Sequence, residues 1–419
     1  MKKLRNLLLL LLVFALLVTG CGKSTDPAKT VLAKVGERTV TLQDFTEVLE
    51  YWFYMYQIDP SDDANKEYVS SLAASCFDYL LLTEVSLVKA EELGFFEVSD
   101  DEMAAIEEEV NEQYSTAETS VEATIREENP DASDSEIKMK VKLEMASSGY
   151  DKEKMIESSI EMQAQEKLVD YCIKDVTISN ADVEAEYQNR VEDAKASYEE
   201  DPSAFEYDVL YGETPYYTPT GARRVKHILI AFDEDIQSEL SSLQSEDEEK
   251  YEERLQEELA KIEPDAAALL DKIIKEEVDF DEEMQSSSGD PGLAEFPDGY
   301  YVVEENSSFD ENFVEAAFAL PSIGSISQLV STRSGYHILR LEEITEAAPL
   351  PFADVSEEIE DELLTQTQNE TYYSMVSEWK LEADIVTYPK KYETYLKETY
   401  GYDISATTSD ASAQGSEAP

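Results

Sequence analysis

The chain has 419 residues, with 94 Asp and Glu against 33 Lys and Arg, and a formal net charge of −61 at pH 7. So large an acid excess repels nucleic acid and anionic headgroups, which excludes partners held by a basic face. A hydrophobic share of 42% with 25 tyrosines argues for packed cores against disorder, and the length predicts two domains.

In chain order, Lys2, Lys3 and Arg5 precede an apolar run of twelve residues, Leu7 to Val18. A helix crossing a bilayer core needs about 20 residues, so this run has the layout of an export signal and not of a span. The junction Leu17-Val18-Thr19-Gly20-Cys21 resembles the lipobox of bacterial lipoproteins. That resemblance implies a signal peptide over 1–20, at least diacylation of Cys21, and attachment through lipid to the extracytoplasmic face of a cell membrane. Residues 21–29 are polar and suit a tether.

Val31, Ala33 and Val35 alternate toward a turn at Gly36-Glu37, and Thr39-Val40 follow, which reads as a strand pair. Thr41 with Asp44 three residues on is a helix start, and Ser99 with Glu102 and Ser179 with Asp182 repeat it. In a helix over about 66–93, Val69, Leu72, Ala73, Cys76, Phe77 and Leu80 keep helical spacing. Residues 30–205 therefore read as mainly helical. Cys76 and Cys172 sit in apolar helical patterns and read as free core thiols, with a disulfide between them as the alternative in an exported protein.

Prolines and tyrosines cluster before Gly221, and 206–221 reads as a connector. Val225 to Ile230 is a strand. Residues 233–263 carry 13 acids against three bases and read as a solvated helical insertion, with a separate helix from Pro264 to Glu277. The chain returns to helix from about Leu350 to Lys397, where Val355, Ile359 and Leu363 share a face that needs an apolar partner. The N-terminal helices can supply it, so 346–400 should complete the domain begun by 30–205, with 222–345 inserted. Residues 401–419, rich in Ser, Ala and Thr, read as a disordered tail.

The chain has two histidines, His227 and His337, each within an apolar strand-like run. Such a residue is more often a satisfied core histidine than a catalyst, and no Cys or His stands near enough to complete a metal site. The ordered set around them is more specific. Val225-Lys226-His227-Ile228-Leu229, Phe280, Asp290-Pro291-Gly292, Phe313 to Leu320, Gly324 to Ser327 and Thr332-Arg333-Ser334-Gly335-Tyr336-His337-Ile338 together resemble a parvulin domain. The segment 31–45 resembles the opening of SurA-like and PrsA-like chaperones, and the whole chain is similar to the PrsA family of foldase lipoproteins in Gram-positive bacteria.

The resemblance implies an α+β architecture: a mainly helical SurA-like domain built from both ends of the chain, with an inserted parvulin domain whose small antiparallel sheet is surrounded by helices. It implies a peptidyl-prolyl cis-trans isomerase without cofactor or metal, acting on unfolded or partly folded secreted polypeptides that contain Xaa-Pro bonds, and it leaves a homodimer open. By position, His227 and His337 match the paired histidines of the site floor. Asp290 matches the Cys or Asp facing the substrate amide, and Thr332 and Ser334 match hydroxyl residues bonded to the histidine pair. Phe313 matches the aromatic wall of the proline pocket, and Phe309 stands where Met or Leu is usual. The segment Glu295 to Tyr301 departs from the family's Gly-Gly-Asp-Leu-Gly pattern, so the lining of that loop stays unassigned. The alternative function is a holdase whose parvulin fold is catalytically silent.

Overall fold

The structure is a computed structural model and describes residues 26–401. The expected signal peptide, Cys21 and nearly all of the expected tail lie outside the described residues. Two strands, β1 (Val31–Val35) and β2 (Arg38–Thr41), open the chain. Five helices follow: α1 (Leu42–Met55), α2 (Lys66–Glu92), α3 (Asp100–Glu128), α4 (Asp134–Ser147) and α5 (Lys152–Ile173). Next come α6 (Asn180–Glu200), α7 (Ser203–Leu210), β3 (Tyr217–Thr218), β4 (Arg223–Ala231), α8 (Glu234–Glu246), α9 (Glu248–Ile274) and α10 (Phe280–Ser287). They are followed by β5 (Tyr300–Val302), α11 (Glu311–Ala319), β6 (Val330–Thr332), β7 (Gly335–Ile344) and β8 (Ala348–Pro349). The chain closes with α12 (Phe352–Glu382), β9 (Ile385–Thr387) and α13 (Lys390–Tyr400).

The expected helix starts are capping boxes: Thr41 with Asp44, Ser99 with Glu102 and Ser179 with Asp182 each exchange side-chain and backbone hydrogen bonds. Ser133 with Glu136 adds a fourth. Each satisfies N–H groups that the first helical turn would otherwise leave bare.

Contacts divide the described residues into two compact units, one running up to 176 and resuming from 365, the other 177–364. In the first, the sheet order is β2-β1-β9, all antiparallel, with Ala33 opposite Thr387 and Val35 opposite Ile385. Its core sets Phe45, Leu49 and Phe53 of α1 against Val69, Leu72, Cys76 and Leu80 of α2, and Tyr392 and Leu396 of α13. Cys76 and Cys172 are buried free thiols, and burial pushes the Cys76 thiol up to about 12.

The second unit holds a four-stranded antiparallel sheet of order β5-β4-β7-β6 and a small ribbon of β3 with β8. Ile228 and Ile338 face Leu270, Ile273, Phe280 and Met284 of α9 and α10, while Val225, Leu339 and Leu341 face Phe313 and Ala317 of α11. The boundaries expected at 205/222 and 345/346 fall inside this unit. The reason is packing: Val183 and Tyr187 of α6 bury against Val355 and Ile359 of α12, and Phe205 of α7 buries with Tyr198 and Val303. The stretch expected as a connector is partly helix α7.

Two further expectations change. The acidic stretch 233–263 is not only solvated, because Phe232, Leu240, Tyr251, Leu255 and Leu259 form a buried cluster. Nor does a helix begin at Pro264, which lies inside α9. A helix-interior proline costs about 3 kcal/mol. The buried stripe Leu255, Leu259, Ala266, Leu270 and Ile273 runs through it and offsets that cost.

Candidate active site

Register brings the histidines together. β4 and β7 pair so that His227 opposes Leu339 and Leu229 opposes His337. Side chains alternate along a strand, so His227 and His337 share a face as diagonal neighbours, within reach of each other's rings. Their ring centroids are 5.0 Å apart at 53°. Phe313 of α11 meets both edge-on, at 5.3 Å from His227 and 5.2 Å from His337. Phe309 stacks on Phe313 at 5.2 Å and is the more exposed of the two. Phe313 is 2% exposed, so it lies beneath the site where a wall was expected, and Phe309 presents the aromatic face.

Thr332 ends β6, and its hydroxyl shares a 2.9 Å hydrogen bond with His337 Nε2, whose direction follows the tautomer. The backbone N–H of Ser334 donates to Thr332 Oγ1 at 3.1 Å. Ser334 thus serves the pair through its backbone, not through the expected hydroxyl, because it sits in the tight turn joining β6 to β7. Gly335 closes that turn with φ +136°, and a Cβ there would stand 2.1 Å from the carbonyl oxygen of Ile230. Only glycine fits.

Asp290 follows α10 in a turn fastened to the edge of β4: Gly289 N donates to Leu229 O at 2.8 Å, and Leu229 N donates to Ser288 Oγ at 3.1 Å. Its Oδ2 lies 3.6 Å from His227 Nε2, longer than a hydrogen bond. The same oxygen accepts the Tyr300 hydroxyl at 2.9 Å, and Oδ1 accepts Gly292 N at 3.1 Å. A Cβ on Gly292 would stand 2.2 Å from the Tyr300 oxygen, so glycine is what lets that phenol reach the carboxylate.

Tyr300 of β5 and Phe296 before it are the site residues that sequence reasoning left unassigned. Tyr300 packs on His227 at 5.5 Å, on Phe309 at 5.6 Å and on Phe296 at 5.0 Å. Burial, then its hydrogen bond to Asp290, pushes the Tyr300 phenol up, so it stays a donor. The signal available was an aromatic pair in the departing loop, but with 25 tyrosines in the chain nothing in the sequence singled it out.

Burial holds both imidazoles neutral. His337 is pushed down to about 3 by burial and then by His227 beside it, and His227 is lowered by burial against the opposing pull of Asp290. Both Nδ1 atoms are buried without a hydrogen-bond partner. A depression of about 700 Å³ at the end of β4 is lined by Phe232, Asp233, Asp265, Leu269, Gly289 and Pro291, on either side of Asp290. Another of about 450 Å³ lies around Tyr198, Pro219 and Phe318. Neither is lined by a histidine, so the site is identified by its chemistry and not by depth. Among the described residues no group of three or more His, Cys, Asp or Glu could hold a metal ion.

What the arrangement offers is a buried, neutral imidazole floor tied by the single hydrogen bond of Thr332 to His337, one carboxylate, and aromatic faces beside it. It contains no nucleophile paired with a base.

Residues 178–357 match the family model described as the PPIC-type PPIase domain. A foldase protein PrsA from Clostridium botulinum (strain Okra / Type B1) is 26% identical over 407 residues, covering 93% of this chain and 99% of that protein. A foldase protein PrsA from Caldanaerobacter subterraneus subsp. tengcongensis is 29% identical over 245 residues, covering 58% of this chain and 60% of that protein. Among solved structures, PrsA from Bacillus subtilis is 18% identical with a TM-score of 0.22, covering 84% of this chain and 93% of that one. A Campylobacter jejuni structure reported for the SurA-like chaperones PEB4 and Cj1289 is also 18% identical, with a TM-score of 0.29, covering 73% of this chain and 94% of that one.

Proposed function

We propose, for a chain whose residues 178–357 are a PPIC-type PPIase domain, that it is a foldase catalysing cis-trans isomerisation of Xaa-Pro bonds in unfolded or partly folded exported polypeptides. The observation that carries this reading is the convergence of Asp290, Thr332, His227 and His337 beside the stacked rings of Phe309 and Phe313.

Rotating an Xaa-Pro bond breaks no covalent bond; the barrier, about 18–20 kcal/mol, is the loss of amide resonance. In the planar amide the carbonyl oxygen carries partial negative charge, and twisting removes much of it. A carboxylate at Asp290 facing that oxygen raises the planar forms relative to the twisted one, which is catalysis by differential binding. Phe309 grips the proline ring. The neutral histidines and Thr332 keep the floor rigid, so the preference costs no rearrangement as the amide turns. A 10⁴-fold acceleration asks for about 5.5 kcal/mol of such preference.

The test is cis-trans exchange in a series of short Xaa-Pro peptides, followed by NMR with and without the protein starting after residue 25. We expect exchange to quicken in proportion to protein concentration. Folded protein that leaves the thermal rate unchanged sinks the isomerase reading. The helical unit carries exposed Tyr54 (78%), Tyr56 (60%), Met139 (62%) and Leu143 (66%), which favours client holding as a second activity and as the function that would remain.

The same reading includes an extracytoplasmic site of action with lipid on Cys21, supported by the junction Val18-Thr19-Gly20-Cys21. Cys21→Ala should release the protein from membranes or leave it unprocessed. Detergent-phase partitioning that survives the change would rule the anchor out.

A further inference from the structure

Glu206, on α7, has no exposed surface and no ion-pair partner among the described residues. A buried carboxylate without a cation needs strong donors. Four converge on it from one short segment. Its Oε2 accepts Val303 N at 3.1 Å and Ser307 Oγ at 2.8 Å, and its Oε1 accepts Ser308 N at 2.7 Å and Ser308 Oγ at 2.5 Å. That segment leaves β5 directly after Tyr300–Val302 and delivers Phe309, whose N–H donates to Ser307 Oγ at 3.3 Å.

Within the segment Asn306 takes the left-handed φ of +59°, and its side chain donates to Asp201 Oδ1 at 3.3 Å. Residues 303–308 are thus gripped at both ends by one side chain and at the middle by the turn that precedes α7. The grip is itself fixed, since Phe205, beside Glu206, packs edge-on against Tyr198 at 5.5 Å and Tyr301 at 5.3 Å. No charged atom of Glu206 touches the histidines or Asp290.

We propose that Glu206 is a positioning residue for substrate capture. By holding 303–308 it sets where Phe309 stands over Phe313 and against Tyr300, and so the fit of the proline ring. This rests on the isomerase reading above. It also gives α7, which precedes the parvulin-like motifs that begin at Val225, a role in that site.

The test uses the full chain and measures kcat and KM for one Xaa-Pro peptide, the Kd of the same peptide by NMR titration, and thermal melting. Glu206→Gln keeps the shape but turns an amide NH₂ toward two of the four donors. It should raise KM and Kd by about tenfold, with kcat held within about twofold. Ser308→Ala removes one donor and should raise both by about threefold. Glu206→Asp, which keeps both acceptors, should recover part of the loss. A lowered melting temperature with KM and Kd unchanged would mean a merely structural carboxylate and overturn the proposal, as would a fall in kcat at constant KM. If Glu206→Gln fails to fold, Ser308→Ala decides the same question. Wild-type protein that binds the peptide without turning it over defeats the isomerase reading alone, and the Kd ratios still judge Glu206. Wild-type protein that does not bind it defeats both.

Discussion

In the first unit the interior is made of Leu32, Phe45, Leu49, Ile106, Ile137 and Leu168, and the one buried polar side chain among the described residues is Ser86, whose hydroxyl bonds back to Leu82 O at 2.9 Å. In the second, Ser203, Glu206, His227, Glu258, Ser327, Thr332, His337 and Thr345 are all buried. An apolar interior tolerates exchange of one hydrocarbon for another of similar volume. A buried polar group is stable only with its partners in place. The first unit is therefore specified by volume and the second by geometry. The residues with chemistry to offer sit where geometry is already exact enough to use them.

The sharpest way to break this contrast is a pair of substitutions. Phe45→Ala empties part of a fully buried ring site and should cost about 3–5 kcal/mol in chemical denaturation, with peptide isomerisation unchanged below the transition. Asp290→Ala should act mainly on turnover, lowering kcat by about 10²-fold, with a smaller stability loss of about 1–3 kcal/mol as Tyr300 and Gly292 lose their acceptor. Equal losses of stability and turnover in both variants would dissolve the distinction.

A smaller effect sharpens it. His337 titrates near 3 when folded and His227 is also lowered, whereas unfolded imidazoles take a proton near 6.5. Below that pH the unfolded chain binds protons that the folded one refuses. The stability of the neutral pair is therefore complete above about 6.5 and is lost as pH falls below it, for His337 by about 1.4 kcal/mol per pH unit toward 3. Since the chain has two histidines, its imidazole NMR spectrum is simple to read. His337 should not titrate between pH 8 and 5, and the His227 midpoint should lie below the free value of 6.5; a His337 midpoint above 5 or a His227 midpoint at or above 6.5 would contradict the buried neutral pair.

How much of this was legible in the sequence depended on what each residue needed. His227 and His337 stood out as the chain's two histidines, while Asp290 and Thr332 could be picked out only through the resemblance to a parvulin domain, and the structure brings the four together. The helix starts were legible because a capping box is local, complete within four residues. Glu206 was not, for it is one of 94 acids and nothing nearby in sequence says that its donors lie about a hundred residues on. Tyr300 was hidden by a loop of unfamiliar pattern. The unit boundaries were misplaced because Val183 and Tyr187 pack against Val355 and Ile359, a pairing that amphipathic periodicity permits but does not select. Pro264 misled for the opposite reason: a strong local signal was overruled by a continuous buried stripe.

The sheet of the first unit joins β1, near the start of the chain, to β9, near its end. A polypeptide delivered from its N-terminus makes β1 early and must wait for Ile385–Thr387 before that edge is covered. At about 5–20 residues per second, synthesis alone keeps the edge open for tens of seconds. The entire second unit, 177–364, emerges in that interval and can fold first, turning a long flexible loop into a compact one before its ends must meet. A chain that ends before residue 385 would be left with β1 unpaired on one side, a hazard for edge-to-edge association. The order of manufacture thus places the unit with the histidine pair ahead of the helical one, although the helical one begins first.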